Sequence, residues 1–236
     1  MATERLDKVL SKHGFGSRKD VQRLVRRQGV LLNGQLCRSP DRHIDLDNDS
    51  LEVCGEVLHL RHHLHLMMNK CASVVCSARD GLHRTVFDLL DEGLRHQFLG
   101  GSLHLAGRLD IDTEGLLLFT TDGAMTHRLT SPKSHVTKKY LVALRDAAEP
   151  ELQSQLVELF RRGITIAPEG DDGEHLCRPA ELEWISPTQC HLTITEGRYH
   201  QVKRMLAAVG NEVVGLRRVA LGGLELDSSL GSGQYR

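Results

Sequence analysis

The apolar run Leu116-Leu117-Leu118-Phe119 limits how this chain can fold more than any other stretch. It is short, and the Asp122-Gly123 pair just behind it is turn-forming, so the run reads as a buried strand. Ahead of it, Arg108, Asp110 and Asp112 alternate with Leu109 and Ile111. If that stretch is extended, residues 108, 110 and 112 point to one side and 109 and 111 to the other. A carboxylate beside a guanidinium at a strand edge is a candidate nucleophile, because a nearby Arg favours its ionised form. The same spacing also fits a turn Asp and a structural Arg–Asp pair, and on spacing alone that plainer reading is the stronger.

From residue 64 onward short apolar runs alternate with turns. They predict strands at 64–68, 115–120, 139–144, 180–185 and 190–195, and helices near 84–91, 123–130, 151–161 and 200–209. Strand runs interrupted by helices indicate an α+β fold rather than a regular βαβ array. Upstream, Leu6, Val9 and Leu10 recur at helical spacing and Gly14 and Gly16 close that helix. Ser17 is a good N-cap for a second helix, with Asp20 in the capping position. That helix buries Val21, Leu24 and Val25, while Lys19, Arg23, Arg26 and Arg27 form a basic stripe on another face. Residues 30–36 read as a hairpin about an Asn33-Gly34 turn. Asp41 to Asp49 reads as an acidic loop and Leu51 to Val57 as one further strand.

A net charge of −1 conceals strong segregation. Residues 1–38 carry nine Lys/Arg against three Asp/Glu, 146–196 carry three against eleven, and 197–218 carry five against one. Basic blocks at the start, around Arg108 and at 197–218 suit a polyanionic partner, although charge runs also form plain solvated faces. No apolar run approaches a membrane span and the N-terminus lacks the apolar stretch of a signal peptide, so the chain reads as cytoplasmic with no membrane partner. The six cysteines show no CxxC pair or metal-ligand spacing and read as reduced thiols. His59, His62, His63 and His65 cluster near a linker at 58–63; surface histidines are the stronger reading over a metal site, because no Cys or acid stands beside them. There is no Walker loop, dinucleotide glycine fingerprint or GxSxG elbow.

Three separated motifs carry a family resemblance. The first is Gly107-Arg108-Leu109-Asp110, continuing through Thr113, Gly115-Leu116-Leu117-Leu118, Thr120 and Asp122-Gly123. The second is Lys138-Lys139-Tyr140-Leu141-Val142, and the third Glu196-Gly197-Arg198-Tyr199-His200-Gln201-Val202-Lys203-Arg204. Together they resemble the pseudouridine synthases, in the branch typified by RsuA, which modifies small-subunit ribosomal RNA. The N-terminal helix–basic helix–hairpin unit resembles the S4 RNA-binding domain.

The resemblance implies an S4-type helix/hairpin domain at 1–59. A catalytic domain follows at 60–236, with a mixed, largely antiparallel sheet flanked by helices. It implies isomerisation of one uridine in 16S rRNA or an assembling small subunit, of the position-516 type, by a monomer that needs no metal or organic cofactor. Asp110 is then the catalytic residue at the ribose, with Asp112 its nearer competitor by chemistry. Tyr140 faces the extruded base, where stacking adds about 1–3 kcal/mol. Lys203 is expected to pair with Asp110 and lower its pKa, with Arg204 the other candidate. Arg108, Lys133, Lys138, Lys139, Arg198 and Arg204 are expected to contact RNA, as are Lys19, Arg23, Arg26 and Arg27 on the S4 helix.

Other classes remain open at this point: a non-catalytic ribosome-assembly factor, a synthase of large-subunit rRNA, and a retaining glycosidase. A glycosidase needs two carboxyls about 5–5.5 Å apart, and only one Trp, three Tyr and five Phe are available to line a sugar cleft. One departure from the family stands out. Its Asn-Lys-Pro-x-Gly segment is here Asn69-Lys70-Cys71-Ala72-Ser73. Loss of Pro frees a dihedral, and loss of Gly removes easy access to positive φ.

Overall fold

The computed structural model describes residues 3–58, 60, 63–99 and 103–236, without the side chains of 96–99. The expected linker and histidine cluster therefore fall partly outside the described residues, since His59 and His62 are not among them. Two compact units result, one of residues 1–66, 87–105 and 119–123, the other of 67–86, 106–118 and 124–236.

The first unit begins with strand β1 (Thr3–Arg5) and helices α1 (Leu6–Lys12) and α2 (Arg18–Arg27). Both helices follow from the apolar spacing: Leu6, Val9, Leu10, Val21 and Val25 are all fully buried. Ser17 and Asp20 form a reciprocal capping box that fixes where α2 starts. Strands β2 (Val30–Leu32) and β3 (Gln35–Cys37) flank Asn33 and Gly34 at φ 50° and 75°, the two positive values a type I′ hairpin turn requires.

Two expectations in this unit need correction. The acidic loop contains strand β4 (His43–Asp45), which pairs with β1 and buries Ile44; one apolar residue among acids is too weak a signal to read. The single strand at 51–57 is a second hairpin, β5 (Leu51–Val53) and β6 (Glu56–Leu58). Its turn is Cys54-Gly55 at φ 54° and 86°, a conformation that cysteine does not advertise. The four strands order as β3-β2-β5-β6.

Asp7 in α1 has a fully buried side chain. Its carboxylate accepts from Arg5 at 3.0 Å, Arg18 at 3.2 Å and Gln22 at 2.8 Å. Burial alone would raise its pKa, but these donors outweigh burial and hold it at about 2, against an ordinary 3.8. A depressed folded pKa stabilises above the unfolded value and loses that contribution as pH falls through the folded one. Asp7 thus contributes about 2 kcal/mol at neutral pH, discounted because its arginines are half exposed. Asp7→Asn should lose about that much at pH 7 in urea titrations and converge with wild type near pH 2. Parallel curves at both pH values would contradict this origin.

The remaining strands are β7 (His65–Lys70), β8 (His104–Leu105), β9 (Glu114–Thr120), β10 (Lys138–Leu144), β11 (Thr165–Ile166), β12 (His175–Leu176), β13 (Glu181–Ser186), β14 (Gln189–Ile194), β15 (Val213–Leu221) and β16 (Leu224–Glu225). Interspersed are α3 (Glu92–Leu99), α4 (Gly123–Thr130), α5 (Pro150–Arg162) and α6 (Gln201–Ala207). The main sheet runs β13-β14-β10-β15-β9-β7 and is antiparallel from β13 to β15, while β15 and β9 are parallel. This is the mixed, largely antiparallel α+β architecture expected.

The run that reads as a buried strand is β9, with Leu116, Leu117 and Phe119 wholly inaccessible. Leu116 and Leu118 pack with Met67, Ala106 and Leu221 in one apolar cluster. The helix expected at 84–91 is only a 3₁₀ turn at Val86–Leu89, with α3 following it.

Between β10 and β9 lies β15, which the apolar pattern does not announce because Gly215, Arg217 and Arg218 interrupt it. Its crossing with β9 depends on Gly115, at φ 97°: a Cβ there would stand 2.3 Å from the Arg218 carbonyl oxygen. The C-terminus closes the β7 side, where Met67 and Arg236 exchange backbone hydrogen bonds of 3.0 and 2.9 Å. That pairing satisfies backbone groups an edge strand would otherwise leave open. Among the described residues no helix is long and apolar enough to cross a membrane.

Candidate active site

The second unit holds a cleft of about 540 Å³ bordered by the segment before β9, by β10, by β15 and by the segment leading into α6. Residues from all three sequence motifs meet there: Arg108 and Asp110, Lys138 and Tyr140, Arg198 and His200. Segments separated by up to some ninety residues converge because β10 and β15 are neighbours and β9 lies next to β15.

Extension through residues 108–112, expected from the alternation, stops at Asp110. The Thr113 amide donates to the Asp110 carbonyl at 3.1 Å, which closes a turn. The turn sends Asp110 and Asp112 apart. Asp110 lines the cleft, whereas Asp112 is exposed and takes the Lys203 ammonium on both oxygens at 2.6 Å. Burial tends to raise the Asp112 carboxyl, but the Lys203 hydrogen bond and charge overcome it and hold it below the ordinary carboxylate range.

Lys203, expected on Asp110, is therefore closed on Asp112, two residues away. Arg204, the other candidate, is buried and directed elsewhere: to Asp172 at 2.6 Å, the Ala167 carbonyl at 3.1 Å and the Tyr199 carbonyl at 2.9 Å. It ties the loop after β11 to α6. His200 also stands by Asp110, with its Nε2 3.9 Å from Oδ1.

Tyr140 is buried in β10 on the cleft wall. Lys138 beside it is half buried and donates to the Val136 carbonyl at 3.0 Å. Burial first, and then the charge of Arg218, push its pKa down. Lys139 points away to Glu183 at 2.7 Å. Arg198 pairs with Asp172 at 2.8 Å. Arg108 is exposed at the cleft rim. In the first unit Lys19, Arg23, Arg26 and Arg27 are all exposed on α2.

Three residues that sequence reasoning left without a role shape this site. Lys70 is completely buried. Its three N–H donors are shared among four carbonyls, of Cys71, Asp110, Ile111 and Thr113, at 3.1, 3.0, 3.2 and 2.8 Å, so one cation clamps the turn that carries Asp110. Burial pushes its pKa down, against the pull of nearby Cys76, Cys71, Asp112 and Asp110. Arg218, also buried, donates Nε to the Leu116 carbonyl at 2.8 Å and reaches the cleft wall. His200 is the third. A lysine ending an apolar strand and an arginine inside one were the available signals; neither residue type says what it holds.

Ser73, standing where the family has Gly, takes φ 63° all the same. Its amide donates to the Ile111 carbonyl at 2.9 Å, which adds to the clamp. A β-carbon in the left-handed region costs on the order of 1 kcal/mol. Ser73→Gly should therefore raise stability by about 0.5–1 kcal/mol in chemical denaturation with activity unchanged. A loss of stability would mean the serine side chain has compensating contacts. All six cysteines are free thiols. Cys76 accepts the Leu109 amide at 3.4 Å, and burial raises its pKa.

A carboxylate in a cleft edged by Arg and Lys, with a buried tyrosine on one wall, has the charge and shape to receive a negatively charged ligand. Comparison with known sequences gives the family. Residues 64–208 match the family described as RNA pseudouridylate synthase, and residues 4–50 match the S4 domain. The chain belongs to the RNA pseudouridylate synthase family. It is 43% identical over 233 residues to the ribosomal small subunit pseudouridine synthase A of Escherichia coli, covering 98% of this chain and 95% of that one. It is 42% identical to the RNA pseudouridine synthase YtzG of Bacillus subtilis, itself described as uncharacterized, over 98% and 93% of the two chains. A solved pseudouridylate synthase superposes with a TM-score of 0.63 at 39% identity, covering 98% and 94%.

Proposed function

We propose that this protein converts one uridine of 16S rRNA to pseudouridine, at the position-516 type of site, in free transcript or assembling small subunit. The observation that carries the reading is Asp110 on the cleft surface, set among Arg108, Lys138 and Tyr140. Asp110 acts at the ribose of an extruded uridine while the N1–C1′ bond breaks. The freed uracil turns against Tyr140 and rejoins C1′ through C5. Substrate and product are isomers, and the reaction as proposed draws only on side chains of this protein.

In this reading residues 1–59 dock on folded RNA and residues 60–236 carry the chemistry. Exposed Lys19, Arg23, Arg26 and Arg27 meet phosphates and RNA shape rather than base edges. Arg108, Lys138 and Arg198 meet the backbone around the extruded nucleotide. Lys139 can join them by leaving Glu183, whereas Arg204 supports the loop beneath. Lys203 has Asp112 as its partner before RNA arrives and Asp110 within two residues of it. The protein acts as a cytoplasmic monomer.

Similarity to a small-subunit enzyme along almost the whole chain supports this substrate over large-subunit rRNA. The test is tritium release from [5-³H]uridine-labelled rRNA of either subunit. Release from small-subunit RNA alone is expected. Release from large-subunit RNA alone would reassign the substrate. No release from either, with binding to both free RNA and particles intact, would make the protein a binding factor.

A further inference from the structure

Of the described Phe, Tyr and Trp side chains only Tyr199 is exposed, with 53% of its surface accessible. A lone aromatic at a surface is ordinary. This one lines the cleft that holds Asp110 and is fixed by its surroundings. Its ring stacks on the His200 imidazole, with centroids 3.8 Å apart and planes 24° from parallel. The imidazole is in turn tied to Glu169, its Nδ1 lying 2.9 Å from Oε1. The backbone is anchored on both sides. Buried Arg204 donates to the Tyr199 carbonyl at 2.9 Å, and the Arg198 amide donates to the side-chain oxygen of buried Gln201 at 3.0 Å. One face of the phenol ring rests on the imidazole, so the exposed surface belongs to its other face and its hydroxyl edge.

A flat, uncharged, preordered surface suits another aromatic ring better than it suits a phosphate. Extruding a uridine breaks its stack and leaves the base beside it with one bare face. The uridine itself goes inward to Tyr140, which is buried, so exposed Tyr199 is placed to meet its neighbour. Resting on the proposed action at an extruded uridine, we propose that Tyr199 is a stacking platform for the nucleobase that flanks the target. Every base has a π-face, so the platform adds affinity for the opened RNA without reading its sequence. A ring already held by His200 loses little freedom when a base settles on it, and more of the stacking is kept as affinity. Arg198, the preceding residue, lines the same cleft and lies within reach of the phosphate of that nucleotide.

The experiment measures Kd and single-turnover pseudouridine formation on small-subunit rRNA fragments that carry the target uridine. The fragments are intact or have an abasic ribose immediately 5′ or 3′ of that uridine, and wild type, Tyr199→Ala and Tyr199→Phe are compared. Tyr199→Ala should bind intact RNA about 10-fold more weakly, yet at saturation react within about threefold of wild type. Tyr199→Phe keeps the ring and should bind within about twofold of wild type. One of the two abasic sites should weaken wild-type binding about 10-fold and leave Tyr199→Ala binding unchanged, so the two losses do not add. A purely structural loss, through displacement of His200, would be the same on intact and abasic RNA. Additive losses therefore overturn the platform, as do abasic RNAs that wild type binds like intact RNA, or a Tyr199→Ala protein that binds intact RNA like wild type. Tyr199→Phe binding as weakly as Tyr199→Ala overturns it too, because the hydroxyl would then carry the contact. A wild type that makes no pseudouridine on intact RNA overturns the proposed function itself; an active wild type with additive losses overturns only the platform.

Discussion

Asp110→Asn should abolish tritium release from small-subunit rRNA, by at least about 10³-fold, while leaving RNA affinity unchanged. The change is isosteric and the turn is held through backbone atoms. The Asp110 carbonyl still accepts from Thr113 and from Lys70, so the fold and the cleft persist. What disappears is the carboxylate oxygen proposed to act at C1′. Asp112→Asn is the informative control, because it carries the same chemistry two residues on and lies outside the cleft lining. It removes one side of an exposed ion pair with Lys203, so its effect should stay within about 10-fold. A reversal of the two phenotypes would transfer the catalytic role to Asp112. Equal and full activity in both would remove the carboxylate from the mechanism.

The second large effect belongs to Lys70. Lys70→Met keeps the aliphatic stem and deletes the ammonium, leaving carbonyls of Cys71, Asp110, Ile111 and Thr113 without their shared donor in a buried place. Removing one side of a buried charge-assisted set costs about 3–5 kcal/mol. For a chain of this size that lowers Tm by roughly 10 °C. Activity should fall even at temperatures where the variant stays folded, because the turn aiming Asp110 into the cleft loses its clamp. Calorimetry together with tritium release at low temperature checks both parts. A variant of normal Tm and normal rate would show the carbonyls find other donors, and the positioning role would be lost with it.

Much of the fold was legible because the signals were local. The capping box at Ser17 and Asp20, the Asn33-Gly34 turn and the apolar run of β9 each depend on residues within one element. The same locality explains what was misread. Ile44 in β4 and Cys54-Gly55 in the second hairpin owe their conformations to strands paired from elsewhere in the chain. Arg217 and Arg218 break the apolar pattern of β15, and it took the neighbours β9 and β10 to make that stretch a central strand.

By itself the sequence determined the chemistry available: an Asp within a basic surround, a Tyr on a strand, a basic helix and the motifs that place the chain in its family. Only the tertiary structure decided how those groups are apportioned. It put Asp110 in the cleft and Asp112 outside it, because a turn replaces the extended run. It closed Lys203 on Asp112, buried Arg204 under the loop it anchors, set Lys70 beneath the turn, and brought His200 between Glu169 and Asp110. Side-chain direction at a turn and partner choice among like charges depend on contacts spanning the chain, which periodicity and motif spacing do not encode.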